Sequence, residues 1–518
     1  MATNVNKINS NDVGLSYAEE ETIKNLPVTP TWYGMQPNTI TDFGGNVIKV
    51  ARDFLTDDRQ MRKGETTDLE AAGTMNHDMV YAGLQRLWQG FMYADFRNKA
   101  ETAGMSDAGV ITSVGAGDDY TRLAGSFITD GYAVGDMVVA TGFTNADNNG
   151  LKTVLTINAL TLVVNETLIA EAAPPADAQL VVCGFQFAAG DLDVDVVGDL
   201  PKLTCSAKDA TELGIIPGEE IYIGGDSASL AFSNGENNGL ARVRSVTATY
   251  IELDKTEDTM VIEGSTTETV QVFLGRVLRN EAGALIVRRT YNFERTLGAP
   301  DTAQPAQIQS EYIIGAVPNE ATITIPIADK ASVDFGFVAL GAEVRTGVVG
   351  VKTGTRVDAV EEEFYNTSSN VPRIKIATVS SVDAAPTPLY AFAEEVTLVI
   401  NNNVSPDKAI GVLGGFDATH GTFMVSGNIT AFFADVAAVD AVQSNADITM
   451  EIHMIKNNKG MSIDVPLMAL GDGRLTVEKN QSVKLPLTQE AATGASIDAD
   501  LNHTLMFTFF DYLPTVAG

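Results

Sequence analysis

The chain has 518 residues, 45% of them apolar, which is enough for several packed cores and too much for a disordered chain. Its 34 basic and 67 acidic residues leave a net charge of −33, which argues against holding nucleic acid through its phosphates and for solubility at high concentration. The two cysteines, Cys183 and Cys205, are too few and wrongly spaced for a zinc site or a disulfide framework.

Residues 1–26 are polar, carry no apolar signal segment, and are expected to form an extended arm on a chain made in the cytoplasm. No run approaches the roughly 18 apolar residues of a membrane-spanning helix. Residues 27–105 give strand-like pieces around a charged loop holding Arg59, Arg62 and Lys63. The text "NHDMVYAGLQRLWQGFMYADF" follows, with Val80, Leu84, Leu87, Trp88 and Phe91 at helical spacing. That spacing predicts an amphipathic helix packed on a sheet, with Asn76 as its N-cap.

The next two stretches, 106–190 and 191–283, repeat one another. "GFTNADNNGL" at Gly142–Leu151 returns as "AFSNGENNGL" at Ala231–Leu240, with an acidic strand before each copy and two Val/Thr/Leu-rich strands after it. Asn and Gly tolerate positive φ, so each "NNG" reads as a turn between strands. Two copies are too few for a solenoid and predict two tandem small β-domains, each burying its own core. Residues 106–283 carry 9 basic and 26 acidic residues, half of the net charge.

From 284 to 518 the period is two. Ile323, Ile325 and Ile327 share a face, as do Val333, Phe335 and Phe337; Phe423, Val425, Ile429 and Phe433; Ile448, Met450, Ile452 and Met454; and Met461, Ile463, Val465 and Leu467. Half-buried antiparallel strands read this way. Val436, Val439 and Val442 predict a second short helix over Ala434–Ser444, and "NHTLMFTFFDYLP" a last strand.

Chemistry-bearing motifs are absent. Asp191, Asp193, Asp195 and Asp199 resemble a calcium loop only until the sixth and twelfth positions, which are Val196 and Lys202. Asn145, Asp147, Asn149 and Gly150 fail at the twelfth, Thr156. Both are expected to be turns. His77, His420, His453 and His503 are scattered and expected to be structural, and no hydrolase or nucleotide-binding motif occurs.

Four stretches resemble the bacteriophage tail tube (major tail) protein family: "TWYGMQPNTI" (Thr31–Ile40), "DDRQMRKGETTDLEAAG" (Asp57–Gly73), "VTLVINNNVSPDKAIGVLG" (Val396–Gly414) and "GTFMVSGNITAFFAD" (Gly421–Asp435). The resemblance implies a mainly β protein with a sandwich or barrel core over 27–105 and 284–518 and one or two short α-helices. The two repeats would be β-domains inserted in that core. It implies a structural subunit of the virion, made in the host cytoplasm, that forms hexameric rings stacked into a tube for DNA delivery. Partners would be its own copies and the tape measure, tail terminator and distal tail proteins. DNA would pass without specific binding, and neither cofactor, metal nor membrane is implied. For Arg59, Arg62 and Lys63 the resemblance adds an acidic patch on the next ring to the plainer reading of a solvated hairpin tip. Two other classes remain open on the sequence: an adhesin whose β-domains bind host glycans, and a tail-associated polysaccharide hydrolase with an unmarked carboxylate pair.

Overall fold

A computed structural model describes residues 8, 10–55, 57, 59–102, 110–115, 117–196, 198, 200–265, 267–299, 308–390 and 392–517. The chain is mainly β, with two α-helices among the described residues. It forms two compact units, one of residues 1–95, 280–367 and 394–430, the other of residues 96–279, 368–393 and 431–518.

The first unit is a sandwich organised by one 18-residue strand, Gln309–Pro326. Its first half pairs with Tyr291–Gly298 and Gly341–Thr346, and its second half with Ser332–Ala339 and Ala393–Asn401. The strand changes sheets near Gly315, whose φ of 62° is one a side chain would strain, and a register shift follows at Pro318. One sheet continues through Gly14–Glu19 and Thr31–Met35. The other continues from Ser332–Ala339 through Glu65–Asp78 to Thr39–Val50. Aromatic rings fill the space between: Phe293 lies 4.6 Å from Phe337, and Phe91 lies 5.0 Å from Phe335 and 5.2 Å from Phe337.

The expected arm contains a strand, Gly14–Glu19, that is paired on both sides and buries Leu15, Tyr17 and Ala18. The first helix is shorter than expected, Gln85–Met92, and Asn76 does not cap it. Asn76 instead lies in the 14-residue strand Glu65–Asp78, where its amide donates to Asp334 across the sheet (2.9 Å). Ala71, Gly73 and Met75 alternate as inward residues, and the ladder to Ser332–Ala339 runs on through Asn76 to Asp78, so strand pairing prevails over helical spacing there. Val80, Leu84, Leu87, Trp88 and Phe91 are all buried.

In the second unit, Arg373–Thr378, Ile448–Lys456, Lys459–Asp472, Met506–Phe510 and Arg276–Arg279 pair in that order. The second helix is Ala437–Ser444; its buried residues are Ala438 and Ala441, while Val436 is exposed and Val439 and Val442 are half-buried. The small alanines, not the valines, give the close approach.

The repeats build a 13-stranded sheet in this same unit. Each has its own buried cluster, around Tyr120, Phe127, Val154 and Leu162 in the first and around Leu203, Ile221, Val243 and Leu253 in the second. They are joined: Gln179–Gln186 pairs with both Asp136–Thr141 and Gln271–Phe273, and the latter pairs with Glu220–Ile223. A third cluster takes Met137, Val139 and Cys183 from the first repeat, Tyr222 and Phe273 from the second, and Ile455, Phe510 and Leu513 from the C-terminal strands.

Those strands are therefore not half-buried. Ile448, Met450, Ile452 and Met454 are inside as expected, but Thr449, Glu451 and His453 between them are also no more than 5% exposed. Ser462 and Asp464 on the next strand are 1% exposed. Alternation marked two different environments, both dry.

Candidate functional sites

Arg59, Arg62 and Lys63 are all exposed, in the loop between the strands Thr39–Val50 and Glu65–Asp78. The guanidinium of Arg62 stands 5.7 Å from the Phe54 ring, and that of Arg52 stands 4.7 Å from it. Leu55 and Met61 are almost wholly exposed. Beside this hairpin, Lys408 ion-pairs with Asp68; the turn that follows exposes Ile410 and Leu413, and the strand Gly415–Thr419 after it exposes Phe416. Cations over aromatic faces and fully exposed aliphatic side chains on one arm make a mixed surface of the kind that docks on protein. The sequence flagged the basic residues and missed the apolar ones, although Phe54, Leu55 and Met61 stand in the same charged stretch.

The repeated asparagine loops bind themselves. In the first, the Asn149 amide accepts from Phe143 N (3.0 Å) and donates to the Phe143 and Asn145 carbonyls. Asn148 donates to Glu171 (3.0 Å) and accepts from Ile169 N. Glu171 also accepts from the backbone N–H groups of Thr144 and Asn145. The second copy reproduces each bond: Asn238 with Phe232 and Asn234, Asn237 with Glu263 and Val261, and Glu263 with the N–H groups of Ser233 and Asn234. The duplicated text is an Asx-turn device closed by a glutamate from a later β-paired segment, with its polar groups turned inward. In the acidic connector, Asp191 accepts from the N–H groups of Ser206 and Ala207, and Asp193 from that of Ser265. Asp199 lies outside the described residues.

The polar face of the C-terminal strands meets the second repeat in a buried ionic cluster. Arg242 donates to both oxygens of Asp254 (2.7 and 2.6 Å) and reaches Asp464 at 3.2 Å. Lys255 donates to Asp464 at 2.5 Å, and Arg373 ion-pairs with Glu451. Burial opposes ionisation of Asp464, but Arg242 and Lys255 outweigh it and hold the carboxyl well below the usual range. Glu220 is pushed far upward by burial and by the neighbouring Glu451 and Asp464. Among the described residues, three are placed like metal ligands: Glu220, Glu451 and His453. No sequence motif announced them, because they come from strands more than 200 positions apart.

The two repeats also differ in one turn. Glu219 accepts from Ile216 N and is paired with Lys99 at 2.9 Å. Its counterpart Asp136 accepts from Ala133 N (2.7 Å), and burial pushes its carboxyl up to about 6 against that bond and Lys208. A carboxyl raised in the fold contributes stability below its unfolded pKa near 4, and that contribution is lost as pH rises through about 6. Asp136→Asn, which keeps the acceptor, is therefore expected to match the parent near pH 4 and to be more stable by ~2–3 kcal/mol near pH 8. Urea unfolding midpoints at the two pH values check this, and equal midpoints at the higher one would refute it.

A 440 Å³ cavity in the first unit is lined by Lys24, Pro27, Val28, Asn292, Arg345 and Lys352 among others, and no carboxylate stands among the described residues of its lining. Among the described residues, no helix is long and apolar enough to cross a membrane.

The first unit is strand-built and carries a long hairpin whose tip exposes basic and apolar side chains together. The profile of the family described as phage tail tube protein matches residues 10–498, and the chain belongs to that family. It is a structural component of the phage tail, assembling with itself and with other tail proteins. No curated protein matches the chain.

Proposed function

We propose that this subunit forms hexameric rings that stack into the tail tube through which the genome is delivered. The observation that carries this reading is the long hairpin of the first unit, with Arg59, Arg62 and Lys63 beside exposed Phe54, Leu55 and Met61. Its tip contacts the adjacent ring, the basic residues meeting an acidic patch on a chain of net charge −33. Residues 106–283 form the inserted pair of β-domains and face outward, since a bore passing duplex DNA has no room for two such bodies from each subunit. A knobbed, acidic exterior keeps tails from bundling and leaves no smooth surface for a contractile sheath. The lumen is lined by acidic and neutral groups, so that a moving polyanion is not held.

Electron microscopy of concentrated purified protein tests the reading: tubes or stacked rings are expected, and monodisperse monomers would overturn it. The hairpin is tested by changing Arg59, Arg62 and Lys63 together to Glu. Monomer stability should shift by less than ~0.5 kcal/mol, as for exposed positions. Tube formation at ordinary ionic strength should fail. Normal tubes from that variant would make the tip a solvated one.

A further inference from the structure

We propose that Glu220, Glu451 and His453 bind one divalent transition-metal ion of the zinc class where the second repeat covers the strand Ile448–Lys456. One ligand atom from each of the three lies within 4.8 Å of the others. Neighbouring ligands on a tetrahedral ion with ~2.0–2.2 Å bonds sit roughly 3–4 Å apart, so small side-chain rotations close the set. Each of the three residues is 1% exposed.

A second observation points to an occupant. Among the described residues, neither ring nitrogen of His453 has a hydrogen-bond partner, and the same is true of Glu220 Oε1. Ser462, paired with His453 across the two strands, also leaves its hydroxyl without one. Buried imidazole and carboxylate groups are almost always paired in native proteins, and here several empty ones converge. The surrounding charges are otherwise matched: Arg242 on Asp254 and Asp464, Lys255 on Asp464, Arg373 on Glu451. Glu220 is the carboxyl of this cluster without a cation of its own. Lys375 faces Glu451 across the strands and is held toward its neutral form by burial and by Arg373. One imidazole with two carboxylates suits zinc, cobalt or manganese better than calcium or magnesium, which prefer all-oxygen shells. Binding displaces any proton on Glu220 to solvent, and no other bond changes.

The test uses the full chain, stripped with a chelator and titrated with Co²⁺, then with Zn²⁺. One equivalent per chain, a d–d absorption band, and a thermal midpoint raised by Zn²⁺ are expected. Glu220→Gln and His453→Gln should abolish the band, whereas His420→Gln, a histidine outside the cluster, should keep it. Less than roughly a tenth of an equivalent in the parent would overturn the proposal and leave ordered water as the occupant. Loss of the band in His420→Gln alone would overturn it in favour of adventitious surface chelation.

Discussion

Excising residues 106–283 and bridging the gap with a short Gly/Ser linker is expected to give an insoluble chain that forms no tubes. Each repeat does bury a core of its own, as two tandem domains would. The structure gives them a second task. Ile455, Phe510 and Leu513 of the C-terminal strands lie in one cluster with Met137, Val139, Tyr222 and Phe273 of the repeats. Uncovering those three costs about 1.5–3 kcal/mol apiece. Asp464 would lose both Arg242 and Lys255, at a further ~3–5 kcal/mol for a broken buried pair. The excision also removes Arg276–Arg279, the strand paired with Met506–Phe510. Together these losses match the whole ~5–15 kcal/mol stability of an ordinary domain. Soluble expression, size-exclusion chromatography and circular dichroism decide the matter. A soluble deletion variant that unfolds cooperatively and polymerises would mean that the repeats are appendages after all.

The strands and their inward residues were legible because period two is a direct consequence of the pleat. Val333, Phe335 and Phe337 read as one face and are one face. The helix start was not legible, since Asn76 serves equally well as a cap or as a cross-strand hydrogen-bonding residue, and only the partner Asp334 decides between them. The same limit hid the ionic cluster. "ITMEIHMIK" alternates apolar with polar residues whether the polar side faces water or another sheet. What distinguishes the two cases is Arg242, Lys255 and Glu220, which arrive from a segment more than 190 residues earlier. Composition carried one hint: Glu and His on a strand otherwise rich in Ile and Met are costly in water-free surroundings unless matched. The repeated asparagine loops were read as turns for a sound reason, positive φ, yet their repetition has a further cause. Glu171 and Glu263, well downstream of each motif, accept the same three N–H groups in each copy, so the motif extends beyond the text that looks repeated.

Asp464→Asn is expected to destabilise the protein by ~3–5 kcal/mol, the range for removing one partner from a buried charge pair. The residue is 1% exposed and receives Lys255 at 2.5 Å and Arg242 at 3.2 Å, so neutralising it leaves two cations facing a neutral amide. Asp254 still holds Arg242 by two bonds, whereas Lys255 keeps only the Met450 carbonyl at 3.3 Å. Lys255 should therefore be the group that suffers most. Removing it as well, in Asp464→Asn with Lys255→Met, should recover part of the loss, because the uncompensated charge goes with it. The coupling between the two positions should exceed ~1 kcal/mol, as for residues in one ionic network. Pairing Asp464→Asn with Arg242→Met should recover less, since Asp254 would then be left as a buried anion in turn. Guanidinium chloride unfolding of the parent, the three single variants and the two doubles measures both couplings. Additive losses for Asp464 and Lys255 would show that the pair is held by the surrounding packing and that its charges do not fasten the second repeat to the C-terminal strands.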